Sequence, residues 1–238
     1  MEIFTVLVLI VLGLLPSLAW IIFYAHEDIR HPEPKKYIAL AFIVGGLVTI
    51  VAYYAQLVLN GLSDALGIVD FSFLSFLILG GIEELFKFLG VFFCIHRLKA
   101  FDEPLHAMIY MIIAALGFAA VENVASLFQA AQGTVWNIAI VESLTLRFVG
   151  ATLLHSLASG IVGYYWGLAF IRNSRGFALD HERELHPIFI GLLFATVLHA
   201  IFNYLIIETG PASYAIIFLI FVAFFVLSDF EKLKKTDI

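Results

Sequence analysis

The sequence predicts an all-α fold: a polytopic membrane protein, a bundle of about seven transmembrane helices with its N-terminus outside and its C-terminus inside. Three observations predict it. Of 238 residues, 62% are hydrophobic and only 13% charged, where a soluble domain carries about a quarter charged residues. The apolar residues, 24 of them Phe, gather into long runs, and mean hydropathy reaches +1.01. The basic residues of the loops occur only in alternate loops.

The runs read as Ile3–Tyr24, Tyr37–Asn60, Phe71–Ile95, Leu105–Gln129, Leu144–Ile171, Pro187–Ile207 and Ala212–Leu227. Stretches of this kind cross a hydrocarbon core about 30 Å thick with ~20 helical residues. No long spacer separates them, so residues 1–238 are expected to form one membrane-embedded domain. The first run ends near Ser17-Leu18-Ala19, which mimics a signal-peptide cleavage site. No Lys or Arg precedes that run, and Arg30, Lys35 and Lys36 follow it. That order favours a retained first span with its N-terminus outside.

The second, fourth and sixth loops carry no basic residue. Arg97 and Lys99 lie in the third, Arg172, Arg175 and Arg183 in the fifth, and Lys232, Lys234 and Lys235 in the tail. Strict alternation is what the positive-inside rule requires of seven spans. All but two of the 13 basic residues are accounted for this way. The two are Lys87 and Arg147, and both lie within spans.

The third span carries Glu83, Glu84 and Lys87. Lys87 follows them by four and three residues, so it can pair with either on one helix face. The two adjacent carboxylates point about 100° apart on a helix of 3.6 residues per turn and are expected to do different jobs. The fourth span sets Phe118 and Glu122 on one face with Asn123 beside them. On the fifth, Arg147, Ala151, His155 and Ser159 form a stripe at intervals of four, and Gly150, Gly160, Gly163 and Gly167 suit close packing. The sixth brings His199 and Asn203 one turn apart.

An acidic or basic residue near the centre of a span costs ~2.5–3.5 kcal/mol on an insertion scale. Such residues persist where they face one another or water. Counted from the outer end of each span at ~1.5 Å per residue, depths are roughly 18 Å for Glu83, 10 Å for Glu122, 17 Å for His155 and 12 Å for His199. All four fall between the midplane and the outer leaflet and can converge. The other histidines, at positions 26, 31, 96, 106, 181 and 186, lie in or beside loops. They are expected to be solvated or to face headgroups.

Net charge of −6 gives no sign of nucleic-acid binding. Cys94 is the one cysteine, which excludes an intramolecular disulfide and a Cys-based zinc site. Carboxylates and histidines without a Ser–His or Cys–His pair argue for activated-water hydrolysis, with one Glu taking the proton and His or Asn steadying the oxyanion. The same side chains could bind Zn²⁺ through Glu122, His155 and His199. Membrane carboxylates and histidines also build proton relays, so a proton- or cation-coupled transporter is the alternative. A non-catalytic scaffold is a third.

At these residues the sequence resembles the PrsW family of intramembrane proteases, grouped with the type II CAAX-prenyl endopeptidases and bacteriocin-processing enzymes. The matching segments are Glu83-Glu84-x-x-Lys87, Phe118-x-x-x-Glu122-Asn123, Arg147 to His155, and His199-x-x-x-Asn203, preceded by His31-Pro32-Glu33-Pro34 leading into Tyr37–Leu47. The resemblance implies hydrolysis of a peptide bond in a membrane-anchored protein of the anti-sigma-factor type. It further implies that Glu83 activates the water, that Lys87 holds Glu84 as its partner, and that His199 and Asn203 stabilise the oxyanion. The CAAX endopeptidases carry His where this chain has Glu122, and that departure leaves room for a metal. The expected catalytic set is therefore Glu83, Glu84, Glu122, His155, His199 and Asn203, supported by Lys87, Asn123 and Arg147. The expected partners are a membrane-anchored protein substrate and the lipid bilayer, and the expected location is a prokaryotic plasma membrane.

Overall fold

The computed structural model describes residues 2–27, 33–98, 101–131, 138–174, 181–208 and 212–236. The basic residues Arg30, Lys99 and Arg175 and the His31-Pro32 pair lie outside them. Among the described residues there is no strand. The chain forms α1 (Ile3–Glu27), α2 (Lys35–Ala65), α3 (Phe73–Cys94), α4 (Pro104–Ala131), α5 (Ile138–Leu146), a π-helical turn (Arg147–Ala151), α6 (Thr152–Ser174), α7 (His181–Glu208) and α8 (Ala212–Lys234). The segment α5–π–α6 is one unbroken rod, so the elements make the seven helices that the apolar runs predict.

Six of these rods are long and apolar enough to cross a membrane. The remaining one, α3, has 22 residues but carries Glu83, Glu84 and Lys87 in its middle, which lowers its hydropathy without shortening it. Several helices outrun their apolar cores. The last was expected to stop at Leu227, yet α8 continues to Lys234. There Lys232 pairs with Asp229 at 2.6 Å and Lys234 with Glu231 at 2.9 Å. Ion pairs three residues apart support a helix beyond its apolar part.

The central post is α4, buried without a break from Pro104 to Ala120. It touches α1 and α2 on one side and α6 on the other, while α3 is held between α2 and α7. Glycines set how closely α2 and α4 approach. A Cβ on Gly45 would stand 1.8 Å from the Ala114 carbonyl oxygen, and one on Gly117 would stand 2.0 Å from that of Phe42. Such small-residue contacts let helix backbones meet where lipid offers no hydrophobic drive. On the outside, Phe4, Val58, Phe93, Phe189 and Phe224 remain exposed, an apolar surface suited to acyl chains. Cys94 is exposed as well.

The π turn was not foreseen. A π turn adds a residue to the rod and releases a carbonyl from the regular ladder. The Phe148 carbonyl there accepts a hydrogen bond from Trp20 Nε1 of α1 at 3.1 Å. This contact ties the first helix to the start of the rod that bears His155.

Candidate active site

Four helices, α3, α4, α6 and α7, deliver the ionisable residues to one place. On α3, Lys87 is fully buried, and its ammonium donates to Glu84 Oε1 at 2.7 Å and to His155 Nδ1 at 2.8 Å. It also lies 4.4 Å from the centre of the Phe118 ring, a favourable seat for a desolvated cation. Glu84 is fully buried and fully engaged. Its Oε1 also faces His199 Nδ1 at 3.2 Å, and its Oε2 accepts from Ser159 Oγ at 2.9 Å.

Glu83 is different. Its Oε1 accepts a hydrogen bond from Gln56 Nε2 of α2 at 2.8 Å, but its Oε2 is buried without a hydrogen-bond partner among the described residues. That oxygen lies 3.6 Å from His199 Nε2, 3.9 Å from His155 Nδ1 and 3.9 Å from Lys87 Nζ. The adjacent carboxylates thus part as the 100° helical offset requires, one tied down and one left open.

Each imidazole is held from behind by a carboxylate. His155 Nε2 meets Glu122 Oε2 at 2.8 Å, and Glu84 takes the Nδ1 of His199. The rings are 5.2 Å apart and nearly perpendicular. Close approach of α7 is possible because Gly80 lies opposite His199, where a Cβ would come within 3.0 Å of the histidine Cβ. Glu122 is the partly open member of the set, with 28% of its side chain accessible, and Arg147 beside it at 3.9 Å keeps 26%. Asn123 is buried between Arg147, which donates to its Oδ1 at 3.2 Å, and Thr152, which accepts from its Nδ2 at 3.0 Å.

All the residues expected from the sequence to carry chemistry except Asn203 meet here. Asn203 lies half-buried one turn beyond His199 and makes no hydrogen bond to the cluster among the described residues. The donor atoms that come within 4.8 Å of one another belong to Glu83, His155 and His199. This differs from the expected metal set of Glu122, His155 and His199, because Glu122 engages the other ring nitrogen of His155. Sequence reasoning missed Gln56 and Thr152. Each is a neutral polar residue among several on its helix, and nothing in the sequence set either apart.

The expectation for the loop histidines needs correction in two places. His106 is buried, with Nε2 2.6 Å from Glu33 Oε1. Its Nδ1 faces the backbone N–H groups of Asp102 at 3.3 Å and Glu103 at 3.1 Å. His96 stacks on Phe92 and packs against Phe101 and Trp166. Both sit near the ends of apolar runs, where burial by a neighbouring helix cannot be read from one segment.

A family model described as PrsW family intramembrane metalloprotease matches residues 33–228. Among similar proteins, the Protease PrsW of Geobacillus kaustophilus is 28% identical over 87% of this chain and 83% of its own length. That of Clostridioides difficile is 26% identical over 95% and 90%. That of Bacillus subtilis is 24% identical over 94% and 95%. No solved structure matches the chain.

Proposed function

Since the chain belongs to the PrsW family of intramembrane proteases, we propose that it hydrolyses a peptide bond of a membrane-anchored protein, with Glu83 as the base that activates water. Family membership makes it a multi-pass membrane peptidase and sets aside the transporter. The carrying observation is the buried Oε2 of Glu83, the oxygen of the two adjacent carboxylates that has no hydrogen-bond partner among the described residues, facing two imidazoles. A buried acceptor left unpaired is costly and calls for an occupant.

In this reading the water sits against Glu83 Oε2 and gives up its proton there as it attacks the scissile carbonyl. The same carboxyl then returns the proton to the departing amide nitrogen. His199, whose Nδ1–H is held by Glu84, presents Nε2–H to the developing oxyanion as an imidazolium, and the family resemblance makes Asn203, one turn along the same helix, the second donor. Lys87 keeps Glu84 charged and supplies positive potential at the centre of the cluster. Glu122 and Arg147 form the accessible edge by which substrate and product pass. With the N-terminus outside, the site lies in the outer half of the bilayer and cleaves at or just beyond the membrane surface. A tethered anti-sigma factor is the substrate type that the family resemblance implies.

The convergence of three donors favours a second reading. One carboxylate and two imidazoles, each imidazole backed by an outer carboxylate, fit a divalent cation such as Zn²⁺ in donor chemistry. Glu83, His155 and His199 would hold it, and it would lower the pKa of a bound water and polarise the carbonyl. Against it stands Lys87, whose ammonium already faces two of the three donors. Chelation separates the readings. Cleavage lost to a chelator and restored by Zn²⁺ supports the metal, and cleavage that persists supports the carboxylate alone.

The proposal as a whole is tested with Glu83→Gln and His199→Ala, assayed on a membrane-tethered reporter in proteoliposomes. Both should abolish cleavage while the protein stays folded. Wild-type rates in both would overturn it.

A further inference from the structure

Gln56 reaches the site from α2, a helix that contributes no ionisable group to it. Its side chain is half-buried, and among the described residues its amide makes the one hydrogen bond that the Glu83 carboxylate receives, at 2.8 Å to Oε1. The helix beneath it is firmly seated. The Gly45 and Gly117 contacts press α2 onto α4. Above them Thr49 Oγ1 bonds the Gly45 carbonyl at 3.0 Å and approaches that of Phe118 at 3.4 Å. Between Thr49 and Gln56, Ala52 packs with Ile82 and Phe118. The amide is thus held two turns along a helix whose distance from α4 is fixed.

We propose that Gln56 is a positioning residue for the reaction: it pins one oxygen of Glu83 so that the other faces His155 and His199. The inference rests on Glu83 being the reacting carboxylate. The terminal torsion of a glutamate is broad and roughly two-fold. Without a donor on one oxygen, the carboxylate plane is free to swing, and neither oxygen is held facing the two imidazoles. Lys87 Nζ, at 3.9 Å from Oε2, is too distant to hold it. An amide suits the task because it donates a hydrogen bond without adding charge. A lysine at this position would neutralise the base, whereas glutamine leaves the negative charge available to the water. Outer partners that orient a reacting or ligating carboxylate are commonly worth 10- to 100-fold in activity.

Gln56→Met keeps the length of the side chain and removes the donor, and Gln56→Asn keeps the amide and withdraws it by one methylene. Each would be purified as the full-length chain, reconstituted, and assayed with a membrane-tethered reporter that the wild type cleaves and Glu83→Gln does not. The expected result in both is a fall in kcat of about 10- to 100-fold, with KM within about twofold of wild type and an unchanged Tm. Asn60→Ala, one turn further along α2, should leave kcat unchanged.

The signature that a merely structural role would not give is spectroscopic. The infrared difference between wild type and Gln56→Met should contain a carboxylate-stretching band. The band should vanish when the same comparison is made in a Glu83→Gln background, where no activity is needed. Unchanged kcat, a rise confined to KM, a loss that tracks Tm, or a band that survives in the Glu83→Gln background would overturn the assignment. Full kcat in Gln56→Met beside an inactive Glu83→Gln would overturn this inference alone. Cleavage by Glu83→Gln at the wild-type rate would overturn the functional reading on which it rests.

Discussion

Glu33 and Glu83 are both buried carboxylates beside a histidine, and they are finished in opposite ways. Glu33 precedes α2, and both of its oxygens are occupied. Oε1 lies 2.6 Å from His106 Nε2, and Oε2 accepts a hydrogen bond from Tyr110 Oη. The backbone N–H groups facing His106 Nδ1 set the ring so that Nε2 carries the proton toward Glu33. This cluster clips the chain entering α2 onto the first turns of α4. Around Glu83 the carboxylate, the two imidazoles and the lysine are just as buried, yet Glu83 Oε2 is left without a hydrogen-bond partner among the described residues. A closed network adds stability and little chemistry, while an open one gives up stability and leaves an atom for a substrate or water. Burial of charge by itself therefore does not mark an active site. What sets Glu83 apart from Glu33 is the open oxygen facing two imidazoles, on which the proposed role of Glu83 rests.

The largest effect should separate the two carboxylates by activity. Glu83→Gln is expected to lower cleavage by about 10²- to 10⁴-fold, the usual contribution of a general base, with Tm held or raised because a buried, half-partnered charge is removed. Glu33→Gln should do the reverse and lower Tm while each folded molecule retains its rate. Activity loss in Glu33→Gln beyond its loss of folded protein would erase the contrast. Lys87→Met comes next. Removing one member of a buried ion pair strands the other and costs about 3–5 kcal/mol. Here the stranded group is Glu84, so thermal unfolding in detergent should show a large drop together with loss of cleavage. An unchanged Tm would mean that Ser159 and His199 alone can hold that carboxylate.

Much of this was legible before any coordinates. Apolar runs gave the seven rods, and the interruption of the third run by Glu83, Glu84 and Lys87 marked the site. Helical spacing put Lys87 within reach of either carboxylate and separated the two; the family resemblance singled out Glu84, the one it bonds. What escaped were features set by neighbours. Gln56 looks like an ordinary polar residue near a span end until α2 is laid against α3. His106 looks like a loop histidine until Glu33 closes over it. The π turn at Arg147–Ala151 has no sequence signature, since it is stabilised by Trp20 from another helix. The metal donors were assigned to Glu122 because spacing tells which residues share a face, but not which of two ring nitrogens they meet.

A smaller effect tests the closed cluster directly. Tyr110→Phe removes the hydroxyl that caps Glu33 Oε2 and leaves a buried carboxylate oxygen unsatisfied. The expected cost is about 1–3 kcal/mol, read as a lower Tm with the cleavage rate per folded molecule unchanged. A rate that falls without a change in Tm would show that the clip at the start of α2 is coupled to the site at its other end.

The smallest expected effect lies at the boundary between the two kinds of region. Thr152 follows the π turn and accepts a hydrogen bond from Asn123 at 3.0 Å, while Arg147 at the head of that turn donates to the same amide at 3.2 Å. Asn123 is satisfied from both sides, as the members of a structural network are, yet it adjoins Glu122, one of the partly accessible residues of the site. Thr152→Val keeps the shape of the side chain and removes one neutral hydrogen bond, worth about 0.5–1.5 kcal/mol. If Asn123 only braces the helices, Tm should fall by that amount and kcat should hold. If the amide turns once Thr152 lets go, Arg147 loses its anchor, and KM for the tethered reporter should rise although no group touching the reacting bond has changed. Measuring kcat and KM beside Tm in this one variant shows on which side of the boundary Asn123 belongs.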